Sequence, residues 1–262
     1  ANGSSQWDES GFGKLLDENS GAVETMVRGT ALPYCAWGID YGLADAAPIP
    51  QVGRGRALAR LNVLTAARLA SAGKSREATD HLIAGIRFAK DLSAGMPLIG
   101  VLVGKSALTS DFEMAISLAR SGRLAPADRA RFVAEVRALP ADVFDWGNAL
   151  RVEAMATHGA LARLQSSNDP AKILNAWGMH EAATKNPRPS DADIREVDEI
   201  FSDAERVFNQ SASTSAVAIT QLQSRVANLN PAAEAVVPSL KRTNDRRQEV
   251  EALREKVLTS LQ

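Results

Sequence analysis

The sequence has very few cysteine, histidine and aromatic residues. Cys35 is the one cysteine among 262 residues, so neither an intramolecular disulfide nor a CxxC metal or redox site can form. Aromatic residues make up 5% of the chain, and apolar and polar residues do not alternate over any useful length. Because strands favour aromatic and β-branched residues whereas the abundant alanine favours helices, the composition predicts a helical protein.

The sequence also lacks excess charge and long apolar runs. The 30 Lys and Arg residues balance 31 Asp and Glu residues, and a net charge of -1 gives no overall attraction to nucleic acids, so no nucleic-acid partner is expected. The longest apolar run, Met96 to Val103, is much shorter than the ~20 residues that span a bilayer. The first residue is Ala1 rather than Met. We expect an extracytoplasmic protein from which an N-terminal targeting segment or membrane anchor has been removed.

Apolar residues recur every three or four positions along most of the chain, which is the spacing of one helix face. Glycine and proline set the expected helix ends, and Ser75 and Asp142 are the expected N-caps of two helices. The last helix carries an apolar stripe that we expect to be buried, within the chain or on a second copy. The expected helices are a short one within 1–20, then 21–30, 56–72, 76–89, 97–120, 126–139, 143–165, 173–179, 194–229 with a kink near 210–215, and a last helix after Pro238 whose stripe is Val250, Leu253, Val257 and Leu261.

A short pattern of small residues occurs twice. A glycine is followed by alanine five positions later and by a small residue twelve positions later, in Gly73, Ala78 and Gly85 and again in Gly122, Ala127 and Ala134. This pattern resembles that of tetratricopeptide repeats, whose small side chains let the two helices of a hairpin approach closely. The resemblance implies an all-α fold of stacked antiparallel helical hairpins in a tetratricopeptide-like right-handed superhelix, with long C-terminal helices. We expect three parts: a polar N-terminal segment (1–20), a helical-hairpin body (21–165) and C-terminal helices that pack on the body (166–262).

A narrower resemblance covers the chain from about Leu16 to Leu164. It rests on Leu32-Pro33, Cys35 to Tyr41, the stretch around Pro50, Arg56 to Leu61, Gly73 with Ala78, and Leu98-Ile99 with Leu102-Val103. In these residues the chain resembles a family of uncharacterised exported or membrane-anchored bacterial proteins with a helical-hairpin body. Gln51-Val52 departs from that family's pattern, in which a histidine often follows the proline. The resemblance implies a helical fold and an extracytoplasmic location, and it supplies no catalytic residue.

Sequence motifs for cofactors and catalysis fail on their spacing. The Gly-Lys-Ser triplets at Gly73 and Gly104 lack the preceding glycine that a phosphate-binding loop requires. His180 is followed at the fourth position by Thr184, so the HExxH zinc motif is absent. No GxSxG sequence is present. We therefore predict no cofactor, no metal ligand and no catalytic residue.

The most concentrated chemistry lies in one irregular, proline-flanked segment. Trp37, Asp40 and Tyr41 place aromatic rings beside a carboxylate, an arrangement that can bind a cation, a sugar or a peptide. These residues are the candidate binding site. The alternative is structural, with Trp37 as a plug over the helical core and Asp40 as a helix cap or an arginine partner.

Three functions are compatible with the sequence. The first is a non-catalytic scaffold or protein-interaction module, because stacked helix pairs form broad grooves. The second is a small-ligand-binding protein or enzyme with a pocket near Trp37, Asp40 and Tyr41. The third is a structural domain that self-associates through its C-terminal helices. We expect an unidentified protein partner and a monomer or weak homodimer.

Overall fold

The computed structural model describes residues 7–40, 48–212 and 214–261, and every regular element in these ranges is an α-helix. The predicted all-α class is therefore confirmed. The helices are α1 (Glu9–Gly29), α2 (Pro50–Ser71), α3 (Ser75–Ser93), α4 (Leu98–Arg120), α5 (Pro126–Ala138), α6 (Trp146–Ser166), α7 (Pro170–Ala176), α8 (His180–Lys185), α9 (Asp191–Phe208), α10 (Ala216–Val226), α11 (Pro231–Val236) and α12 (Leu240–Ser260).

Glycines in the left-handed conformation end three of these helices. After α2, Gly73 has a φ of 77°, and the N–H of Lys74 donates to the carbonyl oxygen of Leu69 at 2.9 Å. The same paired pattern of hydrogen bonds follows α4 at Gly122 and α7 at Gly178. Each of these Schellman motifs satisfies carbonyl groups that the helix leaves without a partner, and glycine adopts the required φ without a steric penalty.

The first half of the chain packs around three helices. Helices α2, α3 and α4 contact one another, and α1 lies against both α2 and α3. Helix α5 contacts α3, and α6 contacts α4, so every second helix along this part of the chain is in contact. The core between them includes the fully buried Leu82, Ile86, Leu108 and Phe112.

The second half of the chain continues from α6. Helix α9 packs along α6, α10 packs on α9, and α12 covers α4, α5 and α10. The predicted stripe of α12 is buried within the chain, since Val250, Val257 and Leu261 are nearly inaccessible and Leu253 packs against the same core. The short helices α7, α8 and α11 form a separate small apolar cluster with the end of α6.

Helix α1 replaces the two short helices predicted for residues 1–30. Its buried residues Leu16, Val23 and Met26 form one face that runs through the expected break at Gly21. An exposed glycine inside a helix costs about 1 kcal/mol, and burial of this face outweighs that cost. The expected domain boundary at residue 20 therefore falls inside α1.

The long helix predicted over 194–229 is two helices, α9 and α10, joined by a turn. Hydroxyl groups in the connection bond to its own backbone: Thr214 donates to the carbonyl oxygen of Ser211, and Ser215 donates to that of Ala212. Such local bonds offer the backbone an alternative to the helix. Similarly, the short helix predicted over 173–179 corresponds to α7, which ends at Ala176, and α8 is an additional helix. Helix α11 begins at Pro231, where the preceding helix is predicted to end.

The two predicted N-caps, Ser75 and Asp142, are both wrong. Ser75 is the first residue of α3, and its hydroxyl links helices by accepting from the N–H of Ala125 (2.8 Å) and donating to Asp128 (2.7 Å). The cap of α6 is Asp145, whose carboxylate accepts from the N–H of Asn148 at 2.9 Å. Sequence position alone could not choose between two aspartates three residues apart.

Asp142 instead pairs with a buried arginine of the last helix. The side chain of Arg247 is 1% exposed, and its Nε donates to Oδ1 of Asp142 at 2.7 Å. Its Nη2 donates to Oδ2 of Asp142 and also to the carbonyl oxygen of Gln210, which follows α9. Arg247 thus joins α12 to the α5–α6 connection and to the α9–α10 connection.

The repeat-like pattern of small residues suggests that Gly85 of α3 packs against α2. In the structure, the nearest neighbour of Gly85 is Asp111 of α4. A Cβ atom added to Gly85 would lie 2.2 Å from a carboxylate oxygen of Asp111. Asp111 is completely buried, and neither of its carboxylate oxygens accepts a hydrogen bond from a described residue. Burial raises the pKa of Asp111 well above its ordinary value.

Gly85→Ala should destabilise the protein by about 1–3 kcal/mol, because the new methyl group would overlap the fully buried carboxyl of Asp111 and force it to shift. Gly21→Ala is the matched control: nothing lies within 4 Å of its added Cβ atom, and it should stabilise the exposed helix by about 0.5–1 kcal/mol. Urea unfolding of both variants checks this. Equal free energies of unfolding for the two variants would contradict the packing described for Gly85.

Asp142→Ala should cost about 3 kcal/mol or more, because it leaves the Arg247 guanidinium buried without its anion. Asp145→Ala removes only a helix cap and should cost about 1 kcal/mol. Thermal or urea unfolding distinguishes the two roles. A larger loss for Asp145→Ala than for Asp142→Ala would contradict the assignment.

Candidate functional site

The segment after α1 carries Trp37 and packs it on the end of α3. The indole N–H of Trp37 donates to the carbonyl oxygen of Asp91 at 2.7 Å, and the Sγ of Cys35 lies 3.9 Å from the same oxygen. Gly38, with a φ of 62°, turns the chain immediately after Trp37. The ring of Trp37 also packs against the main core, so part of its role is structural.

Beside Trp37 lies a concave surface, the Trp37 pocket, with a volume of about 570 Å³. Its walls come from α1, α2, α3 and the segment after α1. Two apolar residues of that segment are unusually exposed at the pocket: Tyr34 is 80% exposed and Leu32 is 68% exposed. The residues that line the pocket include Met26, Leu32, Tyr34, Cys35, Trp37, Phe88 and Asp91.

Asp91, which the sequence analysis misses, provides an acidic residue in this pocket. Its carboxylate makes no hydrogen bond or ion pair with the part of the chain that the structure describes. Partial burial raises the pKa of Asp91. The pKa of the Cys35 thiol is also raised, mainly by burial and to a smaller extent by the negative charge of Asp91. The pocket therefore combines aromatic rings with a partly desolvated carboxylate.

The sequence prediction named a different carboxylate. Asp40 is exposed and is not among the residues that line the Trp37 pocket, and Tyr41 lies outside the described residues. Asp91 is 54 positions from Trp37, and only the fold brings the two together. One sequence signal could have indicated Asp91: a carboxylate in the last turn of a helix opposes the helix dipole.

A second concave surface, the α4–α12 cavity, has a volume of about 600 Å³ and lies between the starts of α4 and α12 and the middle of α6. Ile99 and Leu102 of α4 line it while remaining 43% and 39% exposed. Glu153 of α6 also lines it and accepts a hydrogen bond from the N–H of Leu98 at 3.0 Å. Arg242 and Arg246 of α12 complete the lining. The apolar run from Met96 to Val103 has more apolar residues than one buried face needs, which is a sequence signal for this cavity.

The three histidines each have a separate polar neighbour. His81 Nδ1 lies 2.8 Å from Oδ1 of Asn62, and His180 Nδ1 lies 2.8 Å from Oδ1 of Asn175. His158 Nδ1 lies 3.1 Å from both carboxylate oxygens of Asp198. Burial lowers the pKa of His81.

No protein-family model, curated protein or solved structure matches this chain. Within the described ranges, no helix combines the length and apolar character needed to cross a bilayer.

The Cys35 thiol offers a direct test of the Trp37 pocket. Because burial and Asp91 both raise its pKa, the rate of alkylation by iodoacetamide should reach half its maximum at a higher pH in the folded protein than in the urea-unfolded chain. Asp91→Asn should lower the pH of the half-maximal rate in the folded protein, because it removes the nearby negative charge. Glu113→Gln, an exposed substitution on α4, should leave that pH unchanged. A folded-state midpoint at or below the unfolded one would contradict the described environment of Cys35.

Proposed function

We propose that this chain is a non-catalytic helical interaction module that binds a basic side chain of a partner protein in the Trp37 pocket. The observation that carries this proposal is the position of Asp91, which lines the same pocket as Trp37 and Tyr34 and whose partly buried carboxylate has no hydrogen-bond or ion-pair partner among the described residues. Partial burial destabilises the charged carboxylate. A cation that binds beside it therefore stabilises it more than it would stabilise a fully solvated carboxylate.

The pocket suits lysine or arginine for two physical reasons. The cationic end of either side chain can pair with Asp91, while its aliphatic stem packs on the exposed ring of Tyr34 and on Leu32. A cation near aromatic rings gains a further ~0.5–2 kcal/mol when water is excluded. Tyrosine and tryptophan are also enriched among the residues that dominate binding between proteins, and here Tyr34 is exposed beside the half-buried Trp37.

The wider architecture supports the same proposal. From α1 to α4 each helix contacts the next one and the one after it, which is the pattern of stacked helical hairpins, and α5 and α6 continue the series through their contacts with α3 and α4. We propose that these helices form a tetratricopeptide-like array. An extracytoplasmic location is also part of the proposal and is supported by the sequence resemblance alone. The self-association alternative loses its main support, because the apolar stripe of α12 is covered within the chain.

The proposal predicts that a partner can be trapped from residue 34. A photo-crosslinking phenylalanine analogue in place of Tyr34 should capture a protein in the source organism, and the same analogue in place of Val217, which is 72% exposed on α10, should not capture that protein. Mass spectrometry then identifies the captured protein. With that protein purified, Asp91→Asn should weaken binding about tenfold or more, because a charge-assisted hydrogen bond contributes ~1.5–3 kcal/mol.

Glu113→Gln is the matched charge control and should bind as the wild type does. Replacing the captured partner's lysines or arginines near the crosslink should remove the sensitivity to Asp91→Asn. The proposal fails if Asp91→Asn binds the partner with unchanged affinity, or if positions 34 and 217 capture the same proteins.

A further inference from the structure

Two opposite charges line the α4–α12 cavity without neutralising each other. Among the described residues, Glu153 on α6 accepts a hydrogen bond from the N–H of Leu98 and has no ion-pair partner, and the side chain of Arg242 on α12 makes no hydrogen bond or ion pair. The neighbouring Arg246 differs, because it is already paired with Glu249 at 2.9 Å. A carboxylate and a guanidinium therefore line the same cavity, and neither forms an ion pair within the part of the chain that the structure describes.

The surroundings of Arg242 and Glu153 each disfavour the charge that the side chain carries. Arg242 lies in the first turn of α12, where a positive charge opposes the helix dipole. Glu153 is partly buried, and burial raises its pKa. Each charge would be stabilised by a ligand group of the opposite sign.

Most of the remaining lining is apolar, and the cavity has the size of a ligand pocket. Its walls include Ile49, Pro97, Ile99, Leu102, Val152 and Pro238. A volume of about 600 Å³ lies within the range of pockets that enclose drug-sized molecules, roughly 300–1,000 Å³, and is large for a single amino acid.

We propose that the α4–α12 cavity binds a short apolar peptide of two or three residues with both termini free. Its ammonium group pairs with Glu153, its carboxylate pairs with Arg242, and its side chains pack against Ile99 and Leu102. This site is separate from the Trp37 pocket, so the failure of either proposal leaves the other standing.

Matched peptides test the proposal on the wild-type protein. The probes are Ala-Leu-Ala, its N-acetyl derivative, its C-terminal amide and free leucine, with affinities measured by isothermal titration calorimetry. Ala-Leu-Ala should bind more tightly than free leucine, because it covers more apolar wall. Blocking either terminus should weaken binding about tenfold or more, because each block removes a charge-assisted hydrogen bond.

Two variants assign each terminus to its residue. Glu153→Gln should weaken binding of Ala-Leu-Ala and its amide but leave the N-acetyl peptide unchanged, because that peptide has no ammonium group. Arg242→Gln should weaken binding of Ala-Leu-Ala and its N-acetyl form but leave the amide unchanged. Glu251→Gln and Lys256→Gln, exposed charges of α12 outside the cavity lining, are the controls and should bind all probes as the wild type does.

Several results would overturn the proposal. They are no binding of Ala-Leu-Ala, equal affinities for free and blocked peptides, or tighter binding of free leucine than of the tripeptide. If a variant fails to fold, as its melting curve would show, the peptide series on the wild-type protein still decides.

Discussion

The guanidinium of Arg247 holds the two halves of the molecule together. Through Asp142 it fixes the connection between α5 and α6, and through the carbonyl oxygen of Gln210 it fixes the turn between α9 and α10. About two turns further along α12, Arg254 adds hydrogen bonds to the carbonyl oxygens of Leu139 (2.8 Å) and Pro140 (2.9 Å). The buried Arg247 and the partly buried Arg254 therefore hold α12 against the α5–α6 connection, and the start of the same helix forms one wall of the α4–α12 cavity.

The sequence predicts the all-α class and most helices of the first half, because periodic apolar residues and glycine ends are local signals. Gly73 and Gly122 end α2 and α4 as expected. The errors occur where long-range contacts decide. Burial of Leu16 and Val23 carries α1 through Gly21, and polar side chains near Ser215 fold the backbone into a turn instead of a kinked helix.

The candidate sites were harder to predict, because each combines residues from distant parts of the chain. Trp37 is recognisable alone, whereas Asp91 becomes its neighbour only when α3 packs under the segment after α1. The same holds for Glu153 and Arg242, which lie on different helices. Asp91 and Arg242 share one feature that can be recognised from the local sequence: each carries its charge at the helix end where the helix dipole disfavours it. Such misplaced charges are a useful pointer to sites that periodicity cannot reveal.

The buried carboxyl of Asp111 couples folding of this chain to proton uptake. In its closed surroundings beside Gly85 the neutral form is favoured, so the folded protein holds a proton that the unfolded chain releases above the ordinary pKa of aspartate. Between that pKa and the higher pKa of the folded state, this residue lowers the free energy of unfolding by about 1.4 kcal/mol for each unit of rising pH. Many proteins with ion-paired carboxylates lose stability as the pH falls. The contribution of Asp111 has the opposite dependence, because it is present at low pH and is lost as the pH rises.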